Sequence, residues 1–327
     1  LKSPAVTIVA VLSLALGIGA NTAIFGVINA LILRSLPVHD PQQLVSVGGI
    51  DPDRSEGGPE ISLAMFNEIR EHADVFSKVF AWSGGGITNF EANGVRYTGS
   101  LDEVSGDYFA TLGVCPVLGR VLTHTDAPLD ERPSAQVAVI SYGCWNRLFT
   151  GDPNAIGKTI RVDGIPLTIV GVSPANFPGL MIDVAPEATV PIGFTGRQLK
   201  YRENLWYDVF ARLKPGVSVT QARAQIRVLW PGILKSTVPV TYHGVQRSRF
   251  FSLRSDLQPA ARGSSYLRRR LEKPLEILMA LVGAVLLIAC LNLANLLLAR
   301  AAARQHEFSV RIAVSYTHLR AHETGRN

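Results

Sequence analysis

Two long apolar runs organise the chain. No residue from Ser3 to Leu33 is charged, and none from Ile277 to Ala299. A helix needs roughly 20 apolar residues to cross a bilayer, and a secretory signal has an apolar stretch of only about 7–15. Both runs therefore predict membrane-spanning helices, one over 1–34 and the other over 268–300. Pro4 suits the start of the first, where its missing N–H costs nothing. Gly17 and Gly19 are small residues that let another helix approach closely. Asn21 in the first run, and Asn292 and Asn295 in the second, are polar groups that need partners in lipid. They favour packing against other transmembrane helices over contact with lipid alone.

Between the runs the pattern changes to short alternating segments. Leu44–Gly49 reads as a strand. Residues 62–76 read as a helix capped by Ser62, with Met65, Phe66, Ile69 and Ala73 on helical spacing. Strand-like alternation flanks Asn93-Gly94 and again Asp163-Gly164, both strong two-residue hairpin turns. Residues 136–141 predict a buried strand leading into a short helix at 142–150. Residues 205–216 read as a strand ending in a turn, and Ser218 caps a helix running to about Trp230. Stretches 49–60 and 127–135 are Pro/Gly-rich loops. Residues 35–267 thus form a mixed α+β domain, with no repeat evident.

Composition supports the membrane reading. Hydrophobic residues make up 47% and charged residues 18% of the chain, with mean hydropathy +0.20. The formal charge of +6 is scattered, its one tight cluster being Arg268-Arg269-Arg270. No basic stripe interleaved with aromatics points to nucleic acid. Two spans put residues 1–2 and 300 onward on the same side, opposite the large domain. Basic residues flank the second span on both sides, so charge alone leaves the orientation open.

Candidate chemistry is sparse. Residues 151–160, GDPNAIGKTI, end as a phosphate-binding loop ends. However, five residues separate Gly151 from Gly157 where that loop has four, and a hairpin follows where it needs a helix. No catalytic constellation is present, so no enzyme active site and no cofactor is expected. His124, Asp126, Asp130 and Glu131 share a loop that could hold a cation, but exposed acidic loops are common and a solvated loop is the stronger reading. Cys115 and Cys144 could pair if their segment faces an oxidising compartment. Cys290 reads as a small buried hydrophobe.

Several stretches together resemble the permeases of the MacB/FtsX type. They are LALGIGANTAIFGVINALILRSLP in the first span, then VSGDYFATLGVCPVLGRVLT, VAVISYGCWNRLF, GDPNAIGKTIRVDGIPLTIVGVSPANFPG and RLKPGVSVTQARAQI in the domain. LLIACLNLANLLLARAAARQHEFSVRIAV follows in the second span. The likeness is nearest to the long, internally duplicated orphan members. It implies two transmembrane α-helices flanking an extracytoplasmic mixed α+β domain, held in a bacterial inner membrane. It also implies an ABC ATPase as partner. Residues 301–314 would be the cytoplasmic coupling segment, with Arg304, Glu307, Phe308 and Arg311 matching it. Glu307 and Arg311 stand i,i+4, a favourable helical pair. The implied role is to couple ATP hydrolysis to export or to mechanical transmission. The alternative is a regulatory module that controls an extracytoplasmic partner and moves no substrate. After Val314 the pattern breaks: SYTHLRAHETGRN, residues 315–327, resembles translated sequencing-adapter read-through. With Leu1 in place of Met at the start, the chain reads as a fragment at both ends.

Overall fold

The structure, a computed structural model, describes residues 35–52, 61–128, 133–181, 184–195 and 207–264 continuously. It also describes residues 8, 15, 17–19, 22, 23 and 26, and 274, 277–288, 290, 291, 294, 295 and 298. The chain divides into two units, Arg34–Tyr266 and a second made of Leu1–Leu33 with Leu267–Asn327.

The first unit is mixed α and β. Its strands are β1 Leu44–Ile50, β2 Phe76–Ala92, β3 Val95–Val104, β4 Leu118–Gly119, β5 Val137–Ile140, β6 Thr159–Val162, β7 Ile165–Val172, β8 Ala188–Pro191, β9 Asp208–Leu213 and β10 Arg254–Pro259. Its helices are α1 Leu63–His72, α2 Tyr108–Leu112, α3 Tyr142–Phe149, α4 Val219–Thr237 and α5 Gly244–Ser252. The 17-residue β2 is shared by two halves of the fold. Along Phe76–Trp82 it pairs with β9, beyond which lie β1 and then β10, forming an open flank. Near its far end it pairs with β6 at Phe90 and Glu91. From there the pairings run β6, β7, β5, β8, β3 and back to β2, a closed ring of six strands.

Local chemistry starts and stops these elements. Ser62, Ser141 and Ser218 cap α1, α3 and α4, each hydroxyl accepting a backbone N–H in the first turn. Gln221 completes a reciprocal capping box at Ser218. Asn93-Gly94 and Asp163-Gly164 turn with positive φ at both positions, as tight hairpins require. Helix α1 ends at His72, short of the expected Phe76, which opens β2 instead. Helix α4 continues past Trp230 to Thr237 with Pro231 inside it. Its buried Ile233 and Leu234 keep the later turns against the sheet.

Three apolar clusters fill the unit. One lies under α1 and α4 on the flank and includes Phe66, Ile69, Ile226 and Trp230. Another packs α3 on the ring strands, with Phe90, Ile160, Leu167 and Ile169. The third joins Phe80, Trp82 and Phe210 to α2 through Tyr108 and Phe109. In the second unit, helical residues 277–288 expose Leu278, Leu281, Val285, Leu287 and Ile288. Among the described residues no helix is long and apolar enough to cross a membrane.

Trp230 gives the flank cluster a sharp test. Its ring is buried and its Nε1 donates to the Leu253 carbonyl at 2.9 Å, tying α4 to the start of β10. Trp230→Ala is expected to cost about 3–5 kcal/mol in urea unfolding. Trp230→Phe should keep most of the packing while losing the hydrogen bond, worth about 1 kcal/mol.

Candidate functional site

The places where the chain enters and leaves the first unit are stitched together. Leu36 N–H donates to the Ala261 carbonyl at 2.9 Å, and Ala260 N–H donates to the Leu44 carbonyl at 2.8 Å. Ser264 N–H donates to the Leu180 carbonyl at 3.0 Å, beside a parallel bridge between Met181 and Ser264. Residues 36, 180, 261 and 264 thus form one junction.

Arg212 on β9 anchors the entering segment. Its Nη2 donates to the carbonyls of His39 (2.6 Å) and Thr111 (2.8 Å). Nη1 donates to Asp40 O at 3.0 Å and Nε to Thr111 O at 2.9 Å. The planar guanidinium makes four hydrogen bonds to three carbonyls of two segments, one more than the three donors of an ammonium allow. The fork locks residues 39–40 and the end of α2 to the flank sheet.

Beside the junction lies a buried carboxylate. Ser83 pairs with Glu103 and Gly86 with Leu101, so Gly84 and Gly85 together oppose Asp102 in a β-bulge. Gly85 adopts φ 78°, a conformation glycine tolerates and side chains rarely do. The Asp102 side chain is buried, and a Cβ added to Gly84 would lie 2.2 Å from its Oδ1 and 2.3 Å from the Trp82 ring. Asp102 Oδ2, Trp82 Nε1 and Tyr108 Oη all lack hydrogen-bond partners among the described residues. Burial pushes the Asp102 carboxyl up to about 7, against the pull of the Trp82 indole and the Gly85 N–H. The indole sits outside hydrogen-bond geometry and acts on the charge without a formed bond. The Tyr108 hydroxyl is driven well above its ordinary range by burial and then by the Asp102 charge.

The stretches singled out from the sequence have structural roles. In GDPNAIGKTI, Asp152 caps a 3₁₀ turn at Pro153–Ala155 and pairs with Lys158 Nζ at 3.1 Å. Thr159 then opens β6, so the Gly-Lys-Thr leads into a strand. The 124–131 loop does not converge at its described end. Asp126 is gripped by both Arg120 amino groups at 2.7 and 2.8 Å, while His124 Nε2 meets Asp107 at 2.7 Å. Burial opposes the Asp126 charge, but the Arg120 fork and Thr123 outweigh it and lower the carboxyl's pKa. Asp130 and Glu131 lie outside the described residues.

The possible disulfide does not form: Cys115 is free and exposed, and Cys144 is free and buried. Burial pushes the Cys144 thiol up to about 12, 3.6 Å from the Tyr97 hydroxyl, so it is an unreactive packing residue. Cys290, expected to be buried, is free and exposed on its helix. An open groove of about 770 Å³ lies between the two hairpins. Its charges are occupied locally, Arg96 on Glu91 at 3.0 Å and Arg161 on the Gly164 carbonyl at 3.2 Å.

In the second unit Gly17 is helical and buried, and an added Cβ would come 3.1 Å from Leu286 Cδ1. Gly19 and Asn295 are helical and exposed. Asn21, Asn292, Arg304, Glu307, Phe308 and Arg311 lie outside the described residues. Sequence reading missed Arg212 and Asp102; the Gly84-Gly85-Gly86 run, where alternation breaks, was the available signal for the latter.

A family model described as the MacB-like periplasmic core domain matches residues 7–229. Macrolide export ATP-binding/permease protein MacB 1 of Yersinia pestis bv. Antiqua (strain Antiqua) is 24% identical over 233 residues, covering 70% of this chain and 32% of that protein. The chain therefore spans about a third of the length of this relative. A solved domain of a permease protein from Porphyromonas gingivalis aligns over 72% of this chain and 98% of its own, at 17% identity and TM-score 0.50, a likeness of fold. The periplasmic region of MacB from Actinobacillus actinomycetemcomitans covers 76% and 98% at 14% identity and TM-score 0.48.

Two measurements check this site. Arg212→Ala should destabilise the fold by about 2–4 kcal/mol in urea unfolding, and Arg212→Lys should recover less than half of the loss. For Asp102, the folded carboxyl holds its proton more tightly than the unfolded one. Stability is therefore greatest in acid and falls as pH rises from about 4 to about 7, by roughly 4 kcal/mol in all, then levels off. Asp102→Asn should flatten that fall in urea midpoints measured across the same range.

Proposed function

Because the chain belongs to the MacB-like periplasmic core domain family, we propose that it is part of an ABC-type permease, its large domain outside the cytoplasm of a bacterial inner membrane. In this reading the apolar runs at 1–34 and 268–300 cross the membrane and pack with the other helices of the full permease. A separate ABC ATPase, as subunit or domain, binds and hydrolyses ATP. Arg304, Glu307, Phe308 and Arg311 in the 301–314 segment receive its movement. The spans carry that movement to the domain in an export or mechanotransmission cycle. Such a cycle needs two states that nucleotide binds with different affinity.

The observation that carries the reading is the junction. Leu36 and Ala261 share a hydrogen bond, so the first and last described segments of the domain lie side by side, which supports the reading. A displacement there acts on the rigid sheet through Arg212 and the β1–β10 ladder and is not absorbed by a loop. Residues 315–327 have no part in this proposal.

The test uses the complete permease with its ATPase in lipid vesicles, spin-labelled at the exposed Val95 and Val240. Interspin distances should change on ATP binding and return after hydrolysis. Distances that ignore nucleotide would refute mechanical coupling. Substrate accumulation in the same vesicles separates export from regulation of an extracytoplasmic partner: coupling without accumulation favours regulation.

A further inference from the structure

A segment of five residues, Phe177–Met181, lies between the buried carboxylate and the junction and touches both. At one end, a Cβ added to Gly179 would lie 3.3 Å from Asp102 Oδ2, and one added to Gly85 would lie 2.5 Å from Met181 Sδ. Phe177 stands 6.2 Å from the Tyr108 ring in an edge contact, and Leu180 is fully buried. At the other end the Leu180 carbonyl accepts from Ser264, and Met181 bridges Ser264. Gly263 approaches so closely that an added Cβ would sit 2.2 Å from that carbonyl and 3.0 Å from Leu36 Cδ2. One strap therefore connects the carboxylate to both chain termini of the domain.

We infer that Asp102 is a proton-operated catch: protonated, it lets the strap pack flat over the bulge, and ionised, it loosens the strap and with it the junction. The inference goes beyond the permease reading and holds whatever the assembly moves. Its physical basis is a buried carboxyl that no cation offsets among the described residues. Among the described residues no charged side chain acts on Asp102. From α2 it faces Tyr108, from β2 Trp82 and the Gly85 N–H, from the strap Gly179, and β8 sets Thr189 beside it in register. The nearby Glu103 acts on Tyr207, and Glu187 is taken up by Arg147. A buried carboxylate without a counter-charge is costly, whereas the neutral acid is accommodated and gains a donor. The Tyr108 hydroxyl and the Oδ2 atom are both orphaned, so removing the proton leaves a charge that only the Gly85 N–H and the Trp82 indole offset, and burial outweighs them.

The test is amide hydrogen exchange on the full chain in detergent micelles from pH 4.5 to 8.5, corrected for intrinsic exchange. The reporters are Leu36 and Ser264, whose N–H groups make the junction bonds. Their protection should fall roughly tenfold per pH unit between about 5 and 7 and then level off. Throughout, they should stay less protected than Ile169 in the ring, which marks a local opening. Asp102→Asn should hold their protection constant across the range. A flat profile in the wild type, an unchanged profile in the variant, or protection equal to that of Ile169 each overturns the catch. Should the variant fail to fold, infrared spectra of the wild type decide. The protonated-carboxyl C=O band must vanish over the pH range in which protection is lost, and a band absent at pH 5 overturns the proposal.

Discussion

Every part of the domain depends on β2 serving two masters. Its first half is held by β9 and its far end by β6, with β3 along the other edge. One continuous strand therefore fixes the open flank relative to the closed ring. A β-bulge bends its strand and increases the local twist, which suits a strand shared by a closed ring and an open flank. The bulge at Gly84-Gly85 supplies that bend. It lies between the last β9 partner, Trp82, and the resumed β3 register at Gly86. The buried carboxylate thus sits where it does for a geometric reason, since Asp102 is the residue opposite the bulge.

That placement explains why the fold tolerates a costly group. The carboxyl is walled by Trp82, Tyr108 and the strap, and the same aromatic cluster stacks Phe80 on Phe210 at 5.5 Å and Phe80 on Tyr108 at 5.2 Å. Apolar packing on this face stabilises the fold enough to bear one uncompensated polar site. Arg212 performs the opposite task nearby. It answers the carbonyls of His39 and Thr111 where the entering chain meets α2. One device stiffens the junction, and the other leaves it responsive.

How much of this the residues disclosed depends on how local each determinant is. Both hairpins and the Ser62 and Ser218 caps were legible because Asn-Gly, Asp-Gly and a serine hydroxyl act within four residues. The family was legible because several stretches recur in order. The first half of β2 was not, since Val79–Trp82 is one unbroken buried block with no alternation, and the glycines of the bulge follow it. Strand β8 is four residues long, and α5 has a single buried side chain, Phe250, so neither carries a usable period. The end of α4 was hidden by Pro231, whose usual helix-breaking effect yields to packing by Ile233 and Leu234. Asp102 reads as an ordinary polar position in LDEVS. The strap, some 75 residues later in the chain, buries it together with Trp82 and Tyr108, none of them legible from that stretch.

The β1–β10 ladder has a kinetic consequence. It pairs Val45 with Pro259 and Ile50 with Arg254, joining segments that enclose nearly the whole domain between them. The ring strands β3 through β8, by contrast, find their partners within about a hundred residues. Loop-closure entropy makes distant contacts late and slow. The ring is thus placed to form first as a nucleus, with the ladder closing over a structure already built. During synthesis the domain stays unsealed until its last strand has emerged, and the same ladder that completes folding then draws its first and last strands side by side.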